Sequence, residues 1–302
     1  MILFYYANRA EYSILEPVLR AAENHGFEAL GVDLSREISD ITDDKNLSRV
    51  YDFVYKQISK SSNIECAVVI GDRREIMFAA MALFVKQVPV VQLAAGDLSS
   101  EICLVDDYFR HLITILSDKQ ICFTEKSKIT SDELRSILNI KTKDSIFLPN
   151  PTLSNLDLGS CRSIPGDFDL VLVHPQSLSA KDTRSDAITV KNLIRNKKTY
   201  VIKGNMDKNH EILDELWQEL APRENIVIYD NLDKNSFISL LSSCSIFITN
   251  SSCSYYEAPL FLEENQILRI GNRNKDREIA RYSFEDLDSS EKIVEFITSK
   301  SQ

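Results

Sequence analysis

Short apolar runs alternate with longer segments of helical periodicity, and this alternation constrains the fold more than any other feature of the chain. In the first half, five runs have the length of buried strands: Met1–Tyr6, Ala29–Val32, Ala67–Ile70, Pro89–Leu93 and Gln120–Phe123. The segments that place apolar residues three and four positions apart, as helices do, are Arg9–His25, Leu47–Ile58, Glu75–Val85 and Val105–Leu116. Strands that alternate with helices predict a parallel sheet covered on both faces.

The alternation stops at residues 150–167 and then starts again. This segment contains Asn-Pro, Leu-Gly-Ser and Pro-Gly, so we interpret it as a linker between two domains. The second series comprises the strands Asp169–Val173, Thr199–Lys203, Ile226–Tyr229, Ser245–Thr249 and Gln266–Ile270, and the helices Ala187–Asn196, His210–Leu220, Ser236–Leu241 and Ser289–Thr298.

This order of elements predicts an α/β protein with two doubly wound, Rossmann-like domains. We expect the first at residues 1–155, the second at 165–286, and a helix at 287–302 that packs back on the first domain. In open α/β sheets, ligands bind at the carboxyl ends of the strands. We therefore expect the two domains to face a cleft, with the functional residues in the loops that follow the strands.

The composition disfavours several classes of protein. The 302 residues carry a formal net charge of −10, which argues against a sequence-independent hold on nucleic acid. No apolar stretch reaches the roughly 18 residues of a membrane span, so we expect no membrane partner. The six cysteines form no Cys-x-x-Cys pair, which favours reduced thiols in a cytoplasmic protein over disulfides or structural zinc. A glycine-rich dinucleotide fingerprint is absent, and we expect neither a metal nor another cofactor.

Polar side chains follow the strands of the first series. Arg9 follows the first strand, Asp72 the third, and Asp97 the fourth, while Asp107 and Arg110 lie three residues apart on the next helix. Carboxylates gathered at one sheet edge raise each other's pKa values, which suits proton transfer near neutral pH. The alternatives are an ordinary surface arginine at 9, a helix N-cap at 72, and a solvated ion pair between 107 and 110.

The second series places different chemistry after its strands. His174 directly follows the strand Asp169–Val173, although a histidine at a strand end is more often structural. The run NSSCS at 250–254 follows another strand and opens a helix, where hydroxyls, free N–H groups and the helix dipole predict a cradle for a diphosphate. A simple serine N-cap is the alternative. The run GNRNKDR at 271–277 offers two arginines and a lysine to an anionic ligand.

Six motifs stand in a specific order along the chain. They are ANRAEY at 7–12, GDRRE at 71–75, AAGD at 94–97 with DYFRH at 107–111, VHP at 173–175, TNSSCSYYEAP at 249–259 and IGNRNKDR at 270–277. In this order they resemble the UDP-N-acetylglucosamine 2-epimerase family, most closely its hydrolysing, sialic-acid-pathway branch. The likeness runs from about Arg9 to Arg277 and indicates the fold and nucleotide-sugar binding.

The resemblance implies a two-domain fold like that of the GT-B glycosyltransferases, with UDP held mainly by the second domain. By position, the catalytic residues would be Asp72, Asp97, Asp107 and His174, and the UDP-sugar-binding residues Arg9, Arg110, Asn250, Ser251, Ser252, Glu257 and Arg273. The serines would hold the diphosphate and Glu257 the ribose hydroxyls. The family removes the proton at C2 of the sugar and expels UDP, and hydrolysing members then add water to release N-acetylmannosamine. We expect a UDP-sugar as the small-molecule partner and a homo-oligomer, either a dimer or a tetramer.

The chain departs from the family pattern at several positions. One loop glycine is Ala95, the loop glutamate is Asp97, a family lysine is Ile14, and the serine-glycine of the phosphate loop is Cys253-Ser254. Three alternatives therefore stand beside a hydrolysing 2-epimerase. They are a non-hydrolysing 2-epimerase, whose His-Val-Glu-Ala-Gly loop is absent here, a glycosyltransferase, which the three aspartates disfavour, and a nucleotide-sugar-binding protein that has lost catalysis.

Overall fold

The computed structural model describes residues 1–41, 43–98, 105–139, 144–154, 163–176, 179–204, 207–275, 277–283 and 287–299. The described chain forms two compact units. Unit 1 contains its residues from 1 to 154 together with 282–299, and unit 2 contains those from 163 to 281. Of the predicted linker at 150–167, residues 155–162 lie outside the described part of the chain.

Unit 1 is built on a parallel sheet of six strands. Its strands are β1 (Ile2–Tyr6), β2 (Ala29–Asp33), β3 (Cys66–Ile70), β4 (Val90–Leu93), β5 (Lys119–Cys122) and β6 (Ser145–Phe147). Its helices up to that point are α1 (Arg9–Asn24), α2 (Leu34–Glu37), α3 (Leu47–Lys60), α4 (Arg74–Val85), α5 (Val105–Leu116) and α6 (Glu125–Ile137). The strand order is β2-β1-β3-β4-β5-β6, so it reverses direction beside β1.

Unit 2 is built on a parallel sheet of five strands. Its strands are β7 (Phe168–Val173), β8 (Lys198–Lys203), β9 (Ile226–Tyr229), β10 (Ile246–Thr249) and β11 (Ile267–Arg269). Its helices are α7 (Ala180–Leu193), α8 (His210–Leu220), α9 (Lys234–Ser243) and the one-turn α10 (Cys253–Tyr256). The strand order is β11-β10-β7-β8-β9, which reverses beside β7.

The strands are buried because helices cover both faces of each sheet. In β7, Val171 and Val173 pack into the cluster formed with α7 and α8, whereas Phe168 and Leu170 pack into the cluster formed with α9. Alternate residues of a strand point to opposite faces. An apolar residue at nearly every position is therefore required, as it is in β1 and β3.

The predicted α/β class with two doubly wound parallel sheets is confirmed. Most predicted elements lie within a residue or two of the observed ones, but two parts of the assignment were wrong. The helix predicted at Ala187–Asn196 is α7, which begins seven residues earlier, at Ala180, and ends at Leu193. The elements α2, α6 and β6 were not predicted at all.

The final helix, α11 (Ser289–Thr298), belongs to unit 1. Its first backbone N–H groups, those of Ser289 and Ser290, donate to the hydroxyl of Ser154 at 3.1 Å each. At its other end the ammonium of Lys119 donates to the carbonyl of Phe296 at 2.6 Å. Both ends of the helix therefore have hydrogen-bond partners within the same unit.

Cys66, Cys122, Cys244 and Cys253 are free thiols, while Cys103 and Cys161 lie outside the described residues. Within the part of the chain that the structure describes, no helix is both long and apolar enough to cross a lipid bilayer.

Candidate active-site residues in the two units

The reversal of strand order places the loops after β1 and β3 side by side in unit 1, and the loops after β7 and β10 side by side in unit 2. At such a reversal, the helices that follow the two strands leave toward opposite faces, and a crevice opens at the carboxyl ends of the strands. Asp72 lies in the unit 1 loop after β3, Arg9 is the first residue of α1 after the β1 loop, and His174 and Asn250 lie in the unit 2 loops. The predicted site residues therefore lie where each sheet is suited to bind a ligand.

In unit 1, a single arginine joins the three predicted aspartates. The guanidinium of Arg110 pairs with the carboxylate of Asp72 through Nη2 and with that of Asp107 through Nη1, the latter at 2.6 Å. Nη1 also donates to the backbone carbonyl of Asp97 at 2.7 Å. The side chain of Arg110 is 2% exposed, whereas those of Asp72 and Asp107 are 30% and 14% exposed. A buried cation therefore holds two carboxylates that both reach solvent.

These contacts correct two alternatives from the sequence. The helix α4 starts at Arg74 with Arg73 as its N-cap residue, so the interpretation of Asp72 as an N-cap is wrong. The pair between Asp107 and Arg110 exists, but it is not a solvated surface pair, because its arginine is buried. Breaking a buried pair costs far more than breaking an exposed one.

The loop that carries Asp97 has a backbone path that few residues can adopt. Gly96 has φ +69°, and a Cβ atom there would lie 1.9 Å from the carbonyl oxygen of Ser127. Ala94 also has a positive φ, +58°, which costs a residue with a Cβ atom about 1 kcal/mol. The hydroxyl of Ser127 lies 3.5 Å from the carboxylate of Asp97, which is buried. The close approach to α6 thus fixes where this carboxylate lies.

Glu11 is a buried carboxyl group that was not among the predicted site residues. Its Oε2 accepts from the N–H of Ala7 at 2.6 Å, and its own N–H donates to Asn8, the N-cap residue of α1. Burial raises the pKa of Glu11 to about 8, and Asp72 and Glu75 add to this effect, while the Ala7 hydrogen bond and Arg73 oppose it. The motif ANRAEY contains this residue, but an acidic residue in a first helical turn is common and gave no reason to single it out.

His111 is a second neighbour of the aspartates that was not predicted to be a site residue. Burial and the adjacent Arg110 lower the pKa of His111, although Asp107 and Asp97 act in the opposite direction. Among the described residues its Nδ1 atom has no hydrogen-bond partner. Its imidazole is therefore neutral at pH 7, with one ring nitrogen unused by the described part of the protein. Arg9 is exposed, and its predicted role in binding stays a prediction.

In unit 2, His174 is held through its backbone. Its N–H donates to Oδ1 of Asn250 at 2.8 Å, and its carbonyl accepts from Nδ2 of Asn250 at 2.9 Å. The next carbonyl, that of Pro175, accepts from Nη1 of Arg273 at 2.5 Å. Burial and the charge of Arg273 lower the pKa of His174 to about 3, so its imidazole is neutral at physiological pH.

The serine-rich segment after β10 leads into one turn of helix, α10, and then into a 3₁₀ turn at Ala258–Leu260. So short a helix has a weaker dipole than the sequence suggested. Ser251 is buried, and its N–H donates to the hydroxyl of Thr249 at 2.9 Å. Ser252 is partly exposed, and its hydroxyl makes no hydrogen bond with the residues that the structure describes. Glu257 directly follows α10 and is also partly exposed.

The basic residues after β11 have different surroundings. Arg273 contacts the loop of His174, whereas Arg277 donates to the hydroxyl of Tyr256 at 2.8 Å. Lys275 is exposed. Of the three cations counted in the sequence, Arg273 is therefore the one that adds positive charge beside His174. The described residues contain no group of three or more His, Cys, Asp or Glu side chains arranged to hold a metal ion.

Comparison with protein families and curated proteins gives consistent matches. A family model described as UDP-N-acetylglucosamine 2-epimerase matches residues 27–299. The GDP/UDP-N,N'-diacetylbacillosamine 2-epimerase (hydrolyzing) of Campylobacter jejuni is 28% identical over 225 residues, which are 70% of this chain and 58% of that protein. The UDP-N,N'-diacetylbacillosamine 2-epimerase (hydrolyzing) of Legionella pneumophila is 24% identical over 241 residues, 74% of this chain and 60% of that protein. The matches thus span about three-fifths of the length of these curated relatives.

Solved structures share the fold at lower identity. The UDP-GlcNAc 2-epimerase of Methanocaldococcus jannaschii in complex with UDP-GlcNAc and UDP matches with a TM-score of 0.73 and 15% identity, over 98% of this chain and 99% of that chain. The Neisseria meningitidis enzyme bound to UDP-GlcNAc matches with a TM-score of 0.71 and 14% identity, over 98% of both chains. At these identities the likeness establishes the fold.

The buried carboxyl of Glu11 predicts a pH dependence of stability. Its pKa is about 8 in the folded protein, against an ordinary value of 4.5. Between these values the folded chain keeps a proton that the unfolded chain releases, so this group's contribution to the free energy of unfolding falls as pH rises, by at most about 1.4 kcal/mol per pH unit, and is constant above about pH 8. Glu11→Gln keeps a neutral side chain and should remove this slope, which denaturant unfolding from pH 5.5 to 8.5 would measure.

Glu23→Gln is the matched control, because Glu23 is an exposed glutamate on the same helix. The difference in unfolding free energy between Glu11→Gln and the wild type should shift in favour of the variant as pH rises, and Glu23→Gln should show no such trend. Parallel pH profiles for the wild type and Glu11→Gln would refute the prediction.

Proposed function

The chain belongs to the UDP-N-acetylglucosamine 2-epimerase family, and from this premise we propose that it is a hydrolysing 2-epimerase. Its substrate is UDP-N-acetylglucosamine or a related UDP-N-acetyl sugar such as a diacetamido sugar, and its products are UDP and a sugar of the N-acetylmannosamine type. Both curated relatives described above carry the word hydrolyzing in their names and act on diacetamido sugars by those names. These names support the hydrolysing branch of the family and are the reason for including diacetamido sugars among the proposed substrates.

The observation that carries the proposal is the contact of one buried arginine, Arg110, with Asp72, Asp107 and the backbone of Asp97. Proton transfer at a carbon requires a base and an acid held in fixed positions. Carboxylates on separate elements of the chain keep fixed relative positions only if a common partner binds them. A buried guanidinium with several donors is suited to that task, because its planar fork binds carboxylates in a defined geometry.

In the proposed reaction, one of the three aspartates removes the proton from C2 of the sugar. The electron pair forms a C1–C2 double bond, the bond between C1 and the diphosphate oxygen breaks, and UDP leaves with that bonding pair. Water then adds to the unsaturated sugar, its hydroxyl to C1 and a proton to C2 on the opposite face, so that the configuration at C2 is inverted. A second carboxyl group supplies that proton and, once it is a carboxylate, takes up the proton that the water loses.

Unit 2 has the residues suited to hold UDP. We propose that the hydroxyls of Ser251 and Ser252 donate to the diphosphate and that Glu257 accepts from the ribose hydroxyls. Arg273 provides the positive charge, since His174 beside it is neutral at physiological pH. A neutral imidazole can still donate a hydrogen bond to the departing phosphate oxygen.

The reaction itself gives the first prediction of function. Incubated with UDP-N-acetylglucosamine and with UDP-N,N'-diacetylbacillosamine, without added metal or NAD, the protein should release UDP and a free 2-epimerised sugar from at least one of them. Proton NMR distinguishes these products from a UDP-linked epimer. Formation of only the UDP-linked product would identify a non-hydrolysing enzyme, and tight binding of UDP-sugars without turnover would identify a binding protein.

The three aspartates give the second prediction. Asn keeps the shape of Asp but cannot accept a proton, so Asp72→Asn, Asp97→Asn and Asp107→Asn should leave UDP affinity within a few-fold of the wild type. At least two of them should lower kcat by about 10²–10⁴. Steady-state kinetics, with thermal unfolding to verify that each variant is folded, would test this.

The control for the aspartate series is Asp52→Asn, at an exposed position of α3. This variant should keep wild-type kinetics. If all three site variants also kept activity within a few-fold, these carboxylates would be structural, and His174 would be the next residue to test as the base.

Ser252 gives the third prediction. A hydroxyl that donates to a phosphate makes a charge-assisted hydrogen bond, so Ser252→Ala should weaken UDP binding by about tenfold or more. The melting temperature should stay unchanged, because the hydroxyl has no partner among the described residues. Isothermal titration calorimetry measures the effect, with the exposed Ser185→Ala on α7 as the control. Equal UDP affinity in both variants would remove Ser252 from the binding site.

A further inference from the structure

A buried aspartate on α7, Asp186, lies beneath the predicted site residues of unit 2. It is 3% exposed. Its Oδ2 atom accepts two hydrogen bonds from amide side chains, one from Nε2 of Gln176 at 2.8 Å and one from Nδ2 of Asn250 at 3.1 Å. A buried carboxylate is costly unless its oxygens are hydrogen-bonded, so these two contacts are strongly favoured.

Asn250 connects this carboxylate to His174. The two hydrogens on Nδ2 of Asn250 go to Asp186 and to the carbonyl of His174, and Oδ1 accepts from the N–H of His174. The carbonyl of Asn250 accepts in turn from Asn274 at 2.7 Å. The side-chain amide therefore has all of its donors and its acceptor engaged inside unit 2. Asp186 supports the orientation that the backbone of His174 selects, because it accepts the second hydrogen of the amide nitrogen.

Gln176 makes a second connection from the same carboxylate to the same loop. Its N–H donates to the hydroxyl of Thr183 at 2.9 Å, and its carbonyl accepts from Asn209 at 2.8 Å. Its side chain donates to Asp186. Residues 174–176 are therefore tied to Asp186 at both ends, through Asn250 at His174 and directly at Gln176.

The loop after β11 passes directly over the carboxylate. Gly271 has φ +64°, and a Cβ atom there would lie 2.4 Å from Oδ1 of Asp186. Glycine alone fits this approach without displacing the aspartate. Two residues later, Arg273 donates to the carbonyl of Pro175. The loops after β7, β10 and β11 thus converge on one side chain.

We propose that Asp186 is a positioning residue for the UDP site, which fixes the loop of residues 174–176 against the loop that begins at Asn250. This inference rests on the proposed function for its effect on UDP, but its structural content does not depend on the ligand. The role that we assign to Asp186 is that of a hydrogen-bond acceptor. Both donors reach the same oxygen, so an asparagine whose carbonyl oxygen occupies that place can keep both bonds.

The charged groups that face Asp186 are Arg273 on the loop after β11 and Asp182 one turn earlier on α7. Burial raises the pKa of Asp186 and Asp182 adds to the effect, while the two amide donors and Arg273 oppose it. Asp182 is partly exposed and stands at the start of the helix, so it provides a control at a similar place in the chain without the buried hydrogen bonds.

The test compares Asp186→Ala, Asp186→Asn and the control Asp182→Ala in the full chain, by UDP calorimetry and by NMR of the histidine rings. The chain has four histidines, so the ring signal of His174 can be resolved and assigned. In the wild type this signal should not titrate between pH 5 and 8, because the pKa of His174 is about 3. If Asp186→Ala frees the loop, the partly exposed His174 becomes more exposed to water and its pKa rises toward the ordinary value.

We expect Asp186→Ala to weaken UDP binding by about tenfold or more and to make His174 titrate in this range, and we expect Asp186→Asn and Asp182→Ala to behave as the wild type. Should Asp186→Ala fail to fold, Asp186→Ser removes the same acceptor with a polar side chain and takes its place. The proposal would be overturned if the His174 signal still did not titrate in the folded Asp186→Ala variant. It would also be overturned if Asp186→Asn weakened UDP binding as much as Asp186→Ala does. If no variant binds UDP, including the wild type, the proposed function fails, and the histidine titration still decides the role of Asp186.

Discussion

The reversal of strand order in each sheet is the constraint on which the rest of the structure depends. Strands β1 and β3 in unit 1, and β7 and β10 in unit 2, are parallel neighbours whose following helices leave toward opposite faces. At a reversal of this kind the sheet edge opens between the loops instead of being closed by them. Polar side chains lie there in both units: Asp72 after β3 in unit 1, and His174 and Asn250 after β7 and β10 in unit 2.

Each opening is organised by one buried charge. In unit 1, Arg110 binds two carboxylates and a backbone carbonyl. In unit 2, Asp186 accepts hydrogen bonds from two side-chain amides and lies against a glycine. A buried charge tolerates few arrangements, because each unsatisfied donor or acceptor around it costs free energy. Several independent loops that must each satisfy the same charge therefore acquire a common geometry. The free-energy cost of burying the charge thus fixes the positions of the groups that surround it.

The sequence predicts most of the strands because apolar residues fill both faces of a central parallel strand. It also predicts that Asp72 and Asp97 follow β3 and β4, at the sheet edge where ligands bind in such folds. It fails where polar residues are buried. The first two turns of α7, AKDTRSD at 180–186, look like a solvated loop, yet Thr183 and Asp186 are buried. The helix α6 buries Ser127, Ser131 and Arg135 in place of an apolar stripe. Hydrogen bonds to distant loops stabilise these helices, and a periodicity of apolar residues cannot reveal them.

The two units differ in the charge that they offer at neutral pH. In unit 1 burial acts on two groups near the aspartates and leaves both neutral, Glu11 because its pKa is raised and His111 because its pKa is lowered. Glu11 thus adds no further negative charge, and His111 adds no positive charge that would compete with Arg110 for the carboxylates.

In unit 2 the imidazole of His174 is neutral as well, so the positive charge beside that loop comes from Arg273. Under the proposed function, carboxylates in unit 1 and positive charge in unit 2 suit a reaction in which carboxyl groups exchange protons with a sugar while a diphosphate leaves as an anion. Carboxylates that transfer protons must not have their charge neutralised by several cations. The leaving group, in contrast, needs positive charge close to the oxygen that takes up the bonding pair.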